Sequence, residues 1–226
     1  MAILIASLAP VILILLYIYL RDKYDREPVW LLIKLVIAGM LVVIPIALVE
    51  RALTGAAPPL GSIGTAAYQA FIVAGTTEEV FKFALLILLV WKSPRFNEQF
   101  DGIVYAVFVS LGFAAVENVL YVMESGYQTA LLRALTAVPA HALFGITMGY
   151  YLGIARRYEE LRRRTLGRAI WVPVLLHGTY DFILMVGSGW LLLLFAPYVV
   201  YLYQAGLKKM RILSDASIFK PPEGEL

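Results

Sequence analysis

Long apolar stretches separated by short polar ones make up most of the chain. Each stretch is long enough to cross a hydrocarbon core of roughly 30 Å, for which an α-helix needs about 20 residues. The approximate bounds of the seven segments are 2–20, 29–49, 68–91, 102–123, 129–153, 169–187 and 190–207. The pattern predicts an all-α, polytopic transmembrane helix bundle of about seven spans.

Basic residues in the loops predict the orientation of this bundle. They cluster in the first, third and fifth loops and after the last segment, whereas the second loop offers Arg51 and the fourth and sixth offer none. Because lysine and arginine accumulate in cytoplasmic loops, we expect the N-terminus outside and the C-terminus in the cytoplasm. Residues 1–212 are expected to form one transmembrane domain, with 213–226 as a cytoplasmic tail. The first segment lacks a basic leader and is expected to be retained.

Glycine and proline predict where the helices bend or end. Pro45 is expected to kink the second segment, and the loop 51–66, rich in both residues, to interrupt the helix. Pro139 is expected to open the fifth segment beside the polar residues described below. We place Arg133 at the outer interface and Asp101 in a capping role at the start of the fourth segment.

Composition excludes several classes of protein and of site. With 61% hydrophobic and 15% charged residues, the chain is a multi-pass protein of the cell membrane rather than a soluble domain. It has no cysteine, which excludes a thiolate nucleophile and cysteine-ligated metals, and its two histidines are too few for a His-rich di-iron site. The net charge of +3 follows from topology and does not predict a nucleic-acid partner.

The third apolar segment carries three ionisable side chains near its middle: Glu78, Glu79 and Lys82. On insertion scales, a charge at the centre of a span costs about 2.5 to 3.5 kcal/mol, so the folded bundle must compensate each of them. Glu78 and Lys82 are four residues apart on one helix face and are expected to pair. Glu79 points about 100° away, toward a different neighbour. Such residues indicate a functional site; the alternative is a self-neutralised cluster that only joins helices.

Polar residues on three other segments are expected near the same depth. They are Glu117 and Asn118 in the fourth segment, His141 in the fifth, and His177 and Asp181 in the sixth. At the helical rise, both histidines reach the level of Glu78, and the others lie one to two turns closer to the outer surface. Asp181 is one turn from His177 and can orient its imidazole. Glu117 and Asn118 have an alternative role as a buried cap under the outer loop.

A row of glycines marks a close helix contact. Gly145, Gly149 and Gly153 recur every fourth residue in the fifth segment, which lets a neighbouring helix approach. His141 begins the same row. We therefore expect His141 to face a helix interface rather than lipid.

Several short motifs occur in order over roughly residues 8 to 212. They are KYDREP at 23–28, TEEVFK at 77–82, FDGIVY at 100–105, LGFAAVEN at 111–118, PAHALFG at 139–145 and LHGTYDF at 176–182. As a set they resemble the PrsW family of intramembrane proteases, which is more distantly similar to the CAAX prenyl endopeptidases. The resemblance implies that Glu78 and Glu79 match the family's catalytic glutamates and His177 its important histidine. His141, Glu117 and Asn118 match further motif positions.

The resemblance also implies a substrate. The family is implied to cleave membrane-anchored anti-sigma factors near the outer membrane face, a site-1 type of cleavage that starts a cascade and frees a sigma factor. A polar layer in the outer half of the bilayer suits cleavage at that depth. The expected partners are therefore a single-span anti-sigma-factor-like protein and the lipid bilayer.

The residues predict peptide hydrolysis by an activated water. One glutamate of the 78/79 pair acts as general base, and a histidine binds the water or protonates the leaving amine. His141, His177 and Asn118 are candidate donors to the tetrahedral oxyanion. The sequence assigns supporting roles to Lys82, Glu117 and Asp181.

We favour a site without a cofactor, and the alternative is zinc. Glu78, His141 and His177 form a zinc-type ligand set with an open fourth position, although the HExxH sequence of many zinc proteases is absent.

The alternative function class is a small proton-coupled transporter, which would use the same buried ionisable groups as a relay. The chain is short for this class and has no inverted repeat. A third class is an assembly subunit that uses these groups only to join helices.

Overall fold

Helices form nearly all of the computed structural model, which describes residues 2–221. No β-strand occurs in that range, and the predicted all-α fold is confirmed. The elements are α1 (Ala2–Arg21), α2 (Val29–Leu41), α3 (Val43–Gly55), α4 (Ser62–Ala67), a π-helix (Tyr68–Thr76), α5 (Thr77–Leu89), α6 (Gln99–Ser125), α7 (Tyr127–Leu135), α8 (Ala137–Arg157), a 3-10 helix (Glu159–Leu161), α9 (Arg162–Val186) and α10 (Gly189–Asp215).

Helix α6 is the centre of the bundle. Every residue from Phe100 to Ala115 is buried, because α1, α2, α5, α8 and α10 pack around it. Helix α8 packs closely on α6: a Cβ atom added to Gly149 would overlap the backbone of Gly102. The predicted glycine row therefore faces α6, and it brings His141, at the other end of the row, into the interior.

Six helical stretches within residues 2–221 are long and apolar enough to cross a membrane. They are Leu4–Arg21, Val29–Gly55, Gln99–Ser125, Tyr127–Arg157, Glu159–Val186 and Gly189–Asp215. The chain is therefore a multi-pass membrane protein. The remaining predicted span, 68–91, falls on the continuous helix built from α4, the π-helix and α5, which carries three charges near its middle. The count of seven spans and the outward N-terminus remain predictions.

The second apolar segment is divided at Val42 into α2 and α3. Pro45 has no N–H to donate to the carbonyl oxygen of Leu41. Val42 nevertheless keeps helical dihedral angles, φ −69° and ψ −14°, and its carbonyl accepts the N–H of Ile46 at 3.2 Å, so the kink at Pro45 stays a prediction. The predicted loop 51–66 is wrong, because helix occupies both of its ends and residues 56–61 form the connection.

The predicted fifth span, 129–153, is two helices rather than one. Thr136 leaves helical geometry, with φ −124° and ψ −74°, between α7 and α8. Pro139 explains the break, because it has no N–H to donate to the carbonyl of Leu135. The opening predicted beside Pro139 is confirmed, and it makes α7 a separate element.

The start of α6 is capped as predicted. Asp101 Oδ2 accepts the backbone N–H groups of Asn97 at 3.0 Å and Glu98 at 2.8 Å. The α1–α2 connection packs here, since Asn97 Nδ2 donates to Asp25 Oδ2 at 2.9 Å. Ser217, just after α10, donates to the Glu98 carboxylate. The first part of the predicted tail 213–226 thus contacts the bundle, and residues 222–226 lie outside the described range.

Candidate active site

A π-helix leads directly into the Glu-Glu pair. Backbone hydrogen bonds in a π-helix span five residues instead of four, and here Thr76 Oγ1 also donates to the carbonyl of Phe71 at 2.7 Å. The π-helix packs along α9. Because α5 begins immediately afterwards, Glu78 and Glu79 lie in its first turn, facing the bundle interior. Isolated π-helical turns are often found at functional sites.

Glu78, Glu79 and Lys82 form a central cluster, in which Lys82 contacts both glutamates. Its ammonium donates to Glu78 Oε2 at 2.9 Å and to Glu79 Oε1 at 2.8 Å, and it lies 4.2 Å from the centre of the Phe113 ring. All three charged side chains are buried. The predicted Glu78–Lys82 pair is confirmed. Glu79, expected to face only a different neighbour, also reaches Lys82, because residues three apart on a helix are neighbours too.

His177 of α9 connects the central cluster to Asp181. Its Nδ1 lies 3.0 Å from Glu79 Oε1, and its Nε2 lies 3.3 Å from Asp181 Oδ2. A neutral imidazole has one N–H and can donate to only one of these carboxylates. The arrangement therefore calls for one further proton, either on the imidazole or on one of the two carboxyl groups. The predicted approach of Asp181 to His177 is confirmed.

His141 of α8 reaches the central cluster from the other side. Its Nε2 lies 2.9 Å from Glu117 Oε2, and its Nδ1 lies 3.5 Å from Lys82 Nζ. These contacts fit the tautomer with the proton on Nε2, which leaves the Nδ1 lone pair directed at the cluster. The rings of His141 and His177 are edge to face, with centroids 5.3 Å apart. Phe144 stacks on the His177 ring at 4.9 Å and limits its rotation.

Arg133 of α7 is part of this network, and its place at the outer interface stays a prediction. Its Nη2 donates to Glu117 Oε2 and its Nε to Asn118 Oδ1, both at 2.8 Å. Its guanidinium also lies over the Tyr121 ring, 4.1 Å from the centroid. The Asn118 amide donates to the carbonyl of Ser7 at 2.7 Å, away from the cavity described next. The contact between Arg133 and Glu117 joins α7 to α6, so the periodicity of a single helix could not have predicted it.

A cavity of about 870 Å³ opens beside the central cluster. Its walls come from α3, the π-helix and α5 to α10. Glu78, His141 and His177 line it, whereas Glu79 has no exposed surface. The volume lies in the range of enclosed ligand sites. A short extended peptide could therefore lie against these three side chains.

Glu50 of α3 also lines this cavity, and sequence reasoning missed it. Its side chain is half-buried, and it has no hydrogen-bond or ion-pair partner among residues 2–221. Glu50 and Arg51 follow an apolar segment, where charged residues usually mark the membrane surface. Nothing in their spacing distinguishes Glu50 from an interfacial residue.

Polar side chains of α5, α6, α8 and α9 come together as predicted, and their donors fit a metal ion. Their depth in the membrane stays a prediction. One ligand atom from each of four buried side chains lies within 4.8 Å of the others: Glu78, Glu79, His141 and His177. Carboxylate and imidazole donors suit zinc. The carboxylates behind the two histidines, from Glu117 and Asp181, are the kind that orient metal-binding imidazoles. Such an ion would have to displace the Lys82 ammonium, which contacts the same donors.

Comparison with known proteins identifies the family. The family described as PrsW family intramembrane metalloprotease matches residues 27–204. Protease PrsW of Oceanobacillus iheyensis is 38% identical over 218 residues, covering 96% of this chain and 99% of the relative. Protease PrsW of Bacillus subtilis strain 168 is 40% identical over 211 residues, covering 93% and 94%.

Another relative extends the same pattern. Protease PrsW of Clostridioides difficile strain 630 is 37% identical over 211 residues, covering 90% of this chain and 88% of the relative. No solved structure matches the chain. The match spans the central cluster, both histidines and the wall of the cavity, so the chain belongs to the PrsW family of intramembrane proteases.

Proposed function

We propose that this protein is an endopeptidase that cleaves a single-span membrane protein of the anti-sigma-factor type, close to the outer membrane face. The observation that carries the proposal is the convergence of two glutamates and two histidines on a cavity with room for a peptide. Family membership makes the protein a peptidase and favours this function over a proton-coupled carrier. The substrate type follows from the family resemblance, and the predicted depth of the polar layer supports it.

Within this proposal, Glu78 is the general base. It lines the cavity, whereas Glu79 has no exposed surface and contacts His177. Glu78 takes a proton from a water molecule as the water attacks the scissile carbonyl. Lys82 supports this role by holding the carboxylate in place and compensating its charge.

His177 is the proposed acid. Its two nitrogens face Glu79 and Asp181, so an imidazole with a proton on each nitrogen can donate to both carboxylates. It donates a proton to the amine that leaves when the tetrahedral intermediate collapses, and Glu78 supplies the replacement. His177 remains a candidate donor to the oxyanion because it lines the cavity. His141 loses that role, since its one N–H faces Glu117 and its Nδ1 faces Lys82 as an acceptor. Asn118 loses that role, since its amide donates to Ser7.

The same donors support a metal-dependent version of this chemistry. Glu78, His141 and His177 would hold the ion, with Glu79 beside them. A zinc-type ion supplies Lewis-acid activation of water and of the carbonyl when bound. We propose the version without a metal because Lys82 already provides a positive charge among these donors.

Cleavage of a single-span protein with a short outer domain, reconstituted with the enzyme in vesicles, tests the proposal. Glu78→Gln and His177→Ala are expected to lower kcat by about 10²-fold or more in protein that remains folded. Glu124→Gln, at an exposed carboxylate near the end of α6, is the matched control.

The metal version is tested in the same assay. Activity that survives a chelator supports the site without a metal. Loss of activity with chelator, together with a stoichiometric metal that disappears in His177→Ala, would replace it with the metal version. Failure to cleave any single-span protein would refute the proposed substrate class.

A further inference from the structure

We infer that Arg133 is a positioning residue for His141 and acts through Glu117. The inference rests on the function proposed above, because it adds a residue to the same site. Arg133 does not contact the substrate in this arrangement. It holds the Glu117 carboxylate in the orientation that fixes the His141 imidazole.

The guanidinium of Arg133 holds two neighbouring side chains at once. One N–H goes to Glu117 Oε2 and another to Asn118 Oδ1, at 2.8 Å each. Stacking over the Tyr121 ring fixes the plane of the guanidinium. A planar fork with fixed donors is what arginine provides and lysine does not. Glu117 therefore has little freedom to rotate.

Glu117 passes this constraint to His141. The oxygen that accepts from Arg133, Oε2, is the same oxygen that lies 2.9 Å from His141 Nε2. A carboxylate held there favours the proton on Nε2 and leaves Nδ1 facing Lys82, 3.5 Å away. Without Arg133, Glu117 is free to turn and the imidazole can exchange tautomers. His141 would then present an N–H to the central cluster in part of the molecules.

Arg133 is also well placed to link α7 to the site. It is the one charged residue in the sequence of α7, and its side chain is 15% exposed. Helix α7 packs on α1, α6 and α8, at the wall of the cavity. The ion pair between Arg133 and Glu117 thus connects α7 to the residue that contacts His141.

The first test is independent of any substrate. The chain has two histidines, so a ¹⁵N-histidine spectrum of the full-length protein contains two imidazoles, which His177→Gln assigns. We expect His141 as a single Nε2–H tautomer in the wild type and as a mixture in Arg133→Gln. Arg163→Gln, at an exposed arginine in the first turn of α9, should leave the spectrum unchanged. An unchanged His141 signal in Arg133→Gln would overturn the inference.

The second test separates positioning from general stability. With the single-span substrate, Arg133→Gln should lower kcat by ~10–100-fold, because misplacing a side chain of the site by about 1 Å can cost up to about 10²-fold, with KM within about twofold. Arg133→Lys keeps the charge without the fork and should lose less activity. Added guanidinium should restore part of the kcat of Arg133→Ala.

Several outcomes would count against the inference. A parallel loss of kcat and of thermal stability in both Arg133→Gln and Arg133→Lys, without guanidinium rescue, would show that Arg133 only supports the fold. Absence of cleavage by the wild type would refute the proposed function, while the imidazole spectrum would still decide the role of Arg133. If Arg133→Gln fails to fold, Arg133→Lys carries the spectroscopic test and should show a smaller fraction of the second tautomer.

Discussion

Lys82 compensates two buried carboxylates at once, and its removal should be more damaging than the loss of one side chain. Breaking a buried ion pair by removing one partner costs about 3–5 kcal/mol, because the remaining charge stays in the interior. Lys82→Met keeps most of the volume and removes the charge. We expect Lys82→Met to lower the free energy of unfolding by about 3–5 kcal/mol, measured by denaturant titration in detergent.

The matched control removes the charges of the whole central cluster. Glu78→Gln, Glu79→Gln and Lys82→Met combined leave no unpaired charge in the cluster, so this variant should recover much of the stability lost in Lys82→Met. If Lys82→Met alone is as stable as the wild type, the two carboxylates do not depend on this ammonium.

Replacing Asp181 should lower the rate of cleavage more than the stability of the fold. Its Oδ2 lies 3.3 Å from His177 Nε2 and its side chain is 19% exposed, so Asn fits without leaving a buried charge. An amide N–H facing Nε2 opposes the orientation that a carboxylate provides. We expect Asp181→Asn to lower kcat by at least ~10-fold with the melting temperature unchanged. Asp215→Asn, at the exposed end of α10, is the control; equal rates for the two variants would contradict the role of Asp181.

At the residue scale, the sequence predicts contacts within a helix and misses those between distant helices. The pairs Glu78–Lys82 and His177–Asp181 follow from a spacing of four residues. Arg133 pairs with a residue of another helix, and this contact depends on the break at Thr136, which turns α7 toward α6. Such a contact is a property of tertiary packing, which periodicity does not contain.

The α6–α8 crossing depends on the absence of side chains at its closest point. A methyl group at Gly149 would overlap the carbonyl oxygen of Gly102 and the backbone of Ile103. Since the obstacle is backbone, the helices would have to separate. We expect Gly149→Ala to destabilise the protein by about 1–3 kcal/mol or more, measured as thermal unfolding in detergent. Gly167→Ala in α9, where a Cβ meets nothing within 4 Å, should have a neutral or slightly stabilising effect.

At the scale of elements, hydropathy predicts where helices lie better than how they are built. The apolar segments correspond to helices, and the break at Thr136 follows from Pro139. The π-helix at Tyr68–Thr76 was not predicted, because a change from four-residue to five-residue hydrogen bonding leaves the apolar composition unchanged. That change nevertheless sets the rotation at which Glu78 and Glu79 enter the interior. The sequence therefore predicts which residues form the site, while their angular placement needs the structure.

At the scale of the whole molecule, stability should depend on two carboxyl groups in the connection between α1 and α2, outside the membrane-spanning stretches. Burial raises the pKa of both Asp22 and Glu27 to about 7, and the neighbouring carboxylates of Asp25 and Glu98 add repulsion in the same direction. The Glu27 backbone N–H donates to Asp22 Oδ2 at 3.2 Å and offsets part of this effect. Both side chains are at most 4% exposed.

The sign of the pH dependence follows from these raised values. In the unfolded chain both groups ionise near pH 4, whereas in the folded protein they hold their protons up to about pH 7. Their contribution to stability is therefore complete below about pH 4 and is lost as the pH rises through about 7. For Asp22 the loss amounts to between about 1 and 4 kcal/mol, depending on how far water reaches the group.

Asp22→Asn keeps the acceptor for the Glu27 N–H. This variant should therefore flatten the dependence of the melting temperature on pH between about pH 4 and 7, and its melting temperature at pH 8 should be higher than that of the wild type. Asp215→Asn should retain the wild-type slope. An unchanged slope in Asp22→Asn would mean that Asp22 ionises in the folded protein as it does in water, and that the connection between α1 and α2 is open to solvent.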